Sequence, residues 1–572
     1  MKKRIILIFL TVSLMLLFSQ TTIPEGDVSG NWSLNGSPYL VEGEITIPDG
    51  ETLSIEPGVY IQFQGHYTLN VQGQLLAIGT AQDSIRFTVI DTTGFHLAGE
   101  PDGSWNGIHF YETPATNDST KIVYCILEYS KTPIEEYTGW NGGAIYIYDY
   151  SKVLVSHCLI INNRAQSGGG ICIIGYSDPV IDSNIICFNI SSGLHSHGGG
   201  ICIRDCSSPI IKNNIIHDNI INSPNGYGGG MYIGAGSNPT LSDNIIRNNL
   251  TANFGGGIDI SNSSEPVLIS NRIEYNNGYC GGGINIRQNA YPVLINNIIS
   301  NNLSEYGGAI YYEQSSLLII NNTLVNNTAD HHGGGICSYY VPQWGDLKIL
   351  NSILYHNQPE EMYILGSDSN ITSIAYSIIE NGEAGIFLNG AVVNWLEGNL
   401  DIDPMFADTL NYDYHLQDCS LAIGAGVDSL EIDGVWYFSP EMDFEGNYRP
   451  CPIGSMPDIG AYESPLEEPV SIDNSIVHNT NLHLENYPNP FNPSTTITFS
   501  VTQYSLFVTL EIYNIKGQRV KQLVSTQLSA GQHSVIWHGE DESGKQVSSG
   551  IYFYKLNVDG KTEAVKKCLL LK

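Results

Sequence analysis

Residues 255–303 read GGGIDISNSSEPVLISNRIEYNNGYCGGGINIRQNAYPVLINNIISNNL, nearly two copies of one unit. Each copy opens on three glycines and runs into an apolar-x-apolar segment such as Ile258-Asp259-Ile260. It then turns through polar residues, restarts after a proline (Pro266-Val267-Leu268-Ile269), passes an Asn/Ser pair and closes a third short segment on Asn. No part carries a 3.6-residue apolar pattern, and none offers the roughly ten residues free of Gly and Pro that a helix needs. The unit therefore predicts three short strands, with glycine where positive φ or close stacking is required.

Outward from this stretch the Gly-Gly-(Gly/Ala) tripeptide recurs, its third residue falling at Ala144, Gly170, Gly200, Gly230, Gly257, Gly283, Ala309 and Gly335, with spacings of 26, 30, 30, 27, 26, 26 and 26. Such a period marks a solenoid, whose units bury their apolar faces only by stacking on neighbours. A second ladder keeps step: Asn162, Asn189, Asn219, Asn249, Asn276, Asn302, Asn327 and Asn357. Pro179, Pro209, Pro239, Pro266 and Pro292 open the second strand, where a missing N–H is tolerated. A further column, Asn184, Asn214, Asn244, Asn271, Asn297 and Asn322, is expected at a turn, each amide bonding the rung above or below. These ladders read as scaffold.

The run P-V-L-I-N-N-I-I-S-N-N…G-G-A-I resembles the right-handed parallel β-helix repeat of pectate-lyase-like proteins and many bacterial surface proteins, over about residues 140–360. The resemblance implies an all-β fold and says little of function. Residues 23–463 are assigned to the coil. Irregular opening rungs run to about 140, and the motifs Asp403-Pro404-Met405-Phe406 and Asp458-Ile459-Gly460-Ala461-Tyr462-Glu463 place terminal rungs and a cap in 361–463, as a solenoid needs to hide its open edge. Residues 464–485 read as a linker.

Residues 486–572 differ: longer alternating strands and turns at Asn514-Ile515-Lys516-Gly517 and Asp559-Gly560 predict a small Ig-like β-sandwich. The Pro-rich entry Tyr487–Ser494, the strand Gly550-Ile551-Tyr552-Phe553-Tyr554 and the Lys-ended strand Lys566–Lys572 together resemble the C-terminal sorting domain of type IX secretion cargo. That resemblance implies export across the outer membrane of a Gram-negative bacterium, interaction with the secretion machinery, and a secreted or cell-surface location; a plain Ig-like binding module is the alternative. Residues 1–20 carry three basic residues and an apolar run from Ile5 to Phe18, the pattern of a secretory signal, and no other long apolar stretch predicts a membrane span.

Asp plus Glu number 58 against 24 Lys plus Arg, and nine of those cations lie in the last 60 residues. So acidic a body repels nucleic acid and anionic membrane, leaving neutral glycans or cations as the expected partners. Eleven cysteines show no CxxC pair or zinc spacing. No cofactor is expected, and no motif indicates calcium.

Strand alternation turns two columns outward. The first is Tyr146, Cys172, Cys202, Tyr232, Asp259, Asn285, Tyr311 and Cys337; the second is Tyr148, Ile174, Arg204, Gly234, Ser261, Arg287, Glu313 and Tyr339. Tyr232, Asp259, Asn285, Arg287, Tyr311 and Glu313 form the candidate glycan-contacting patch, or else Asp259–Arg287 and Arg287–Glu313 are plain surface ion pairs. Arg204 and Arg287 stand three rungs or about 14 Å apart, too far to act on one sugar. Asp259 and Glu313, two rungs apart, approach the roughly 5–9.5 Å of a hydrolase carboxylate pair. His197 and His331-His332 read as loop residues, and the polygalacturonase motifs are absent. Polysaccharide binding or a structural role therefore leads, with a polysaccharide lyase or glycoside hydrolase as the alternative. Cys172 and Cys202, stacked on adjacent rungs, are either a disulfide or two thiols.

Overall fold

The computed structural model describes residues 20–571 except 98, 112, 133–141, 339–344, 367–370, 471–483, 502–505, 515, 529–530 and 559–560. The expected signal (up to residue 19), most of the linker, Ile515 of one turn, the Asp559-Gly560 turn and Tyr339 of the second column lie outside the described residues. The chain divides into two compact units, Met1–Val470 and Ser471–Lys572. No described helix is long and apolar enough to cross a membrane.

The first unit is a coil of three parallel sheets of fourteen strands each, visited in turn. The Gly-led strands (such as Ile258–Ile260) form one sheet, the Pro-led strands (Val267–Ile269) the next, and the strands after the Asn/Ser pair (Arg272–Glu274) the third. A fourth sheet of seven strands, from Arg164–Ala165 to Thr328–His332, is inserted before the glycines of the regular rungs. Each regular rung sends four aliphatics inward; Ile258, Ile260, Leu268 and Ile273 are all fully buried, as are Ile284, Ile286, Leu294 and Ile299 one rung on. Each such side chain contributes about 1.5–3 kcal/mol of gross burial. The prolines stand just before the second strand, where the missing N–H costs nothing while the carbonyl still accepts: Val267 N–H bonds Pro239 and Val293 N–H bonds Pro266, both at 3.1 Å.

The glycine triplet divides its work. Gly255 takes φ +68, while a Cβ on Gly256 would lie 2.5 Å from the carbonyl oxygen of Gly282 on the next rung.

Both asparagine columns are hydrogen-bonded ladders at corners. Asn276 Nδ2 donates to Asn302 Oδ1 (3.1 Å) and to the Ile246 carbonyl (2.8 Å), and Asn302 Oδ1 also accepts from Asn276 N–H (2.9 Å). The residue before each ladder Asn is left-handed, as at Tyr275 (φ 56) and Ser270 (φ 52), and that turn swings the amide inward. One column begins at Asn163 rather than the expected Asn162: Asn163 accepts from Ser130 and donates to Asn189, while Asn162 takes the left-handed position. It ends where Asn357 N–H and Nδ2 donate to Glu361 at 2.9 and 2.6 Å. The other begins at Cys158 N–H and continues past Asn322 through Ser352, Ser377 and Asn399. A third ladder, Ser177, Ser207, Ser237 and Ser264, was not foreseen; each hydroxyl accepts the N–H of the rung before.

Beyond the regular rungs, the coil strands continue to Val392–Trp395. Residues from about 400 to 464 then lie along the outer faces of the third and second sheets: Phe406, Tyr414, Ile459 and Tyr462 cover Ile298, Val325, Ile353 and Ile378, while Val427, Leu430 and Tyr437 pack on Ile320, Leu350 and Ala375. The buried Arg449 fixes this segment, bonding Glu463 (2.8 Å), Asn296 (2.8 Å) and the carbonyls of Gly460 and Ala461.

The second unit is a sandwich of a three-stranded and a four-stranded antiparallel sheet around Phe499, Leu510, Trp537, Tyr554 and Leu556. Its Pro-rich entry pairs with its last strand: Phe491 N–H bonds the Leu569 carbonyl (3.0 Å), and Leu571 N–H bonds the Phe491 carbonyl (2.9 Å).

Candidate ligand-binding site

Over the regular rungs the first outward column of the Gly-led sheet is covered, not exposed. The residues just before the glycines, His197, Tyr227, Phe254 and Cys280, pair in parallel from rung to rung, and this column lies over the first outward column. Tyr232 and Tyr311 are 2 % exposed, and Cys172, Cys202, Asp259, Asn285 and Cys337 are at most 1 % exposed. The expected surface patch is thus a second, polar core, because alternation fixes the side a residue faces and not what lies beyond it. Of the six candidates only Glu313 is half-buried. Cys172 and Cys202 stack in register as thiols, and no disulfide forms among the described cysteines.

Asp259, Asn285 and Arg287 do come together. Asn285 Nδ2 donates to Asp259 Oδ2 at 2.6 Å and Arg287 Nε at 3.4 Å, so the pair read as a surface salt bridge is buried. Burial lifts the Asp259 carboxyl above its ordinary range, and the Arg287 charge only partly opposes this. For Arg287 burial disfavours the cation, but Asp259, Tyr232 and Tyr227 together outweigh it and the guanidinium titrates higher than usual. The guanidinium also lies over the rings of Tyr227 (4.1 Å) and Phe254 (5.2 Å), a cation–π contact with both. Tyr311 falls in a separate cluster with Cys280, Cys337 and Tyr363.

Beside this core opens a cavity of about 280 Å³ lined by His195, His197, Arg204, Tyr227, Tyr232, Asn262, Arg287 and Gln288. Both arginines therefore line one pocket, although their rungs are three apart. Arg204, Gly234, Ser261 and Arg287 follow consecutive rungs in line, each N–H bonding the preceding rung, and with two small residues between them the long side chains at either end reach the same pocket. His197 is no loop residue; it is 8 % exposed and stands edge-on to Tyr232 at 4.4 Å. Burial, and then repulsion from Arg204 and Arg287, pulls its pKa down to about 3, so it is neutral at physiological pH. His331 and His332 likewise lie in a strand, Thr328–His332. Sequence reasoning missed Tyr227 and Phe254, whose signal was an aromatic recurring immediately before the glycines.

Residues 106–252, 188–343 and 230–374 match the family described as right handed beta helix region, and residues 489–562 match the FlgD Ig-like domain. The chain is thus a right-handed parallel β-helix followed by an Ig-like domain. Protein bark beetle of Drosophila melanogaster is 32% identical over 98 residues, which are 17% of this chain and 3% of that protein. The chain therefore spans only a small part of this curated relative. Among solved structures, pectate lyase Pel9A is 12% identical with a TM-score of 0.36, covering 73% of this chain and 88% of its own. PorZ, a surface component of the type-IX secretion system of Porphyromonas gingivalis, is 19% identical with a TM-score of 0.12, covering 16% of this chain and 11% of its own.

Proposed function

We propose that this chain is a glycan-binding β-helix displayed on or released from the surface of a Gram-negative bacterium, with residues 1–20 as its secretory signal and the Ig-like sandwich as a type IX sorting domain. One observation carries the binding reading: the pocket joining Tyr227 and Tyr232 to the planar donors of Arg204, Arg287, Asn262 and Gln288. Planar donors gathered in one pocket suit the hydroxyls of sugars. A hydrolase using Asp259 and Glu313 is disfavoured, since Asp259 is 0 % exposed and cannot meet a glycosidic bond. Support for sorting comes from the Pro-rich entry, which is hydrogen-bonded to the Lys-ended terminal strand, so the features of the resemblance form one substructure.

Two measurements test this. Deleting residues 486–572 is expected to leave a folded coil in the periplasm; wild-type surface display of the truncated chain would refute the sorting role. A glycan panel, assayed for binding and for released reducing ends or unsaturated uronates, is expected to return binding without turnover.

A further inference from the structure

We infer that the gap between Arg204 and Arg287 is a subsite for one oxyanion, a carboxylate or sulfate ester, carried on a sugar. The inference deepens the glycan reading and rests on it.

The chain carries 58 acidic residues, yet no carboxylate lines this pocket, while two arginines, two histidines and two side-chain amides do. Only twelve Lys or Arg serve residues 23–512, so two in one cavity is a marked concentration. The geometry is prepared in advance. Arg287 is held from behind by Asp259 through Nε and clamped on Tyr227 and Phe254, so it loses little freedom when a ligand arrives. Asp259 is enclosed and absent from the lining, so it steadies Arg287 without presenting a carboxylate to the ligand. Glu313 stands one rung beyond Arg287, on the side away from Arg204, and is likewise absent from the lining. Gly234 makes room for Tyr232 in the pocket wall: a Cβ there would collide with the Tyr232 side chain, whose hydroxyl accepts from Ser261 Oγ at 3.0 Å. The volume, about 280 Å³, falls just under the roughly 300–1,000 Å³ of sites that enclose drug-sized ligands, so it takes one group of a larger molecule. Guanidinium pairs favour planar or tetrahedral oxyanions through charge-assisted bonds.

The test uses the full chain at low ionic strength. It is titrated with inorganic sulfate against matched chloride, and with neutral, galacturonate and O-sulfated galacto-oligosaccharides of one length. Sulfate is expected to raise the melting temperature, and at least one charged series to bind tenfold or more tighter than the neutral one; the tighter series identifies the oxyanion. Gln288→Glu alters an exposed side chain and puts a carboxylate in the lining. It is expected to abolish both effects while melting like wild type in chloride, and Arg204→Gln to do the same. Equal binding of neutral and charged oligosaccharides, or a preference unchanged in both variants, overturns the subsite and leaves glycan binding standing. A sulfate effect lost in the variants, without binding of any saccharide, keeps the subsite and overturns the glycan reading. No response to any probe overturns both.

Discussion

Asn276 and Asp259 are polar residues from neighbouring segments of one rung, both 0 % exposed, and the molecule buries them in different ways. Asn276 belongs to a column of identical amides in which every rung supplies the next one's partner. Asp259 occurs once, its partners Asn285 and Arg287 occur once, and the cluster leaves Asn285 Oδ1 with no hydrogen-bond partner. Repetition satisfies a buried polar group at no cost in specificity; a unique cluster in the same register breaks the repeat and marks where the scaffold has been adapted.

The largest expected effect tests the repeated side. Asn302→Leu strands Asn276 N–H and the Ile273 carbonyl, while Asn276 Nδ2 keeps the Ile246 carbonyl and Asn327 Oδ1 keeps the backbone N–H of residue 302. At about 1–3 kcal/mol for each unpaired group, denaturant unfolding is expected to show a loss of about 2–6 kcal/mol. A loss below about 1 kcal/mol would mean the ladder is not the coil's main polar support.

On the unique side, Asp259→Ala leaves Arg287 buried without its carboxylate, at about 3–5 kcal/mol. A surface pair would cost about 0–1 kcal/mol, so the same unfolding experiment separates the covered face from the exposed one. Asp259→Ala with Arg287→Met is expected to recover part of the loss, since no buried charge remains.

A smaller effect follows from Glu361, which ends one ladder. Burial, aided by Glu380, lifts its carboxyl from 4.5 to about 8. Because the folded pKa is raised, the stability it confers is full below about pH 4.5 and is lost as pH rises through about 8. Glu361→Gln is expected to flatten the fall in melting temperature between pH 5 and pH 9; an unchanged slope would remove Glu361 from the account.

The coil was legible because it repeats. The glycines, the prolines and both asparagine columns announce themselves at a fixed period, and the C-terminal sandwich shows in its longer alternating strands. The third ladder was equally periodic in Ser177, Ser207, Ser237 and Ser264, but was overlooked beside the prolines that follow it. What alternation could not convey was the cover. Tyr227 lies over residues that belong to other strands, and the flank segment reaches the coil across long stretches of chain, as where Asn351 bonds the Val427 carbonyl. Arg204 and Arg287 were judged by backbone separation, whereas the small residues between them decide what their side chains share.

The covered face is tested most directly by native-state thiol labelling with mass spectrometry. Cys206 is exposed and is expected to alkylate at once, whereas Cys172, Cys202 and Cys337, beneath the column before the glycines, are expected to stay protected until the protein unfolds and then to label as separate thiols. Labelling of Cys172, Cys202 and Cys337 at the rate of Cys206 would contradict the account, since the outward column would then face solvent.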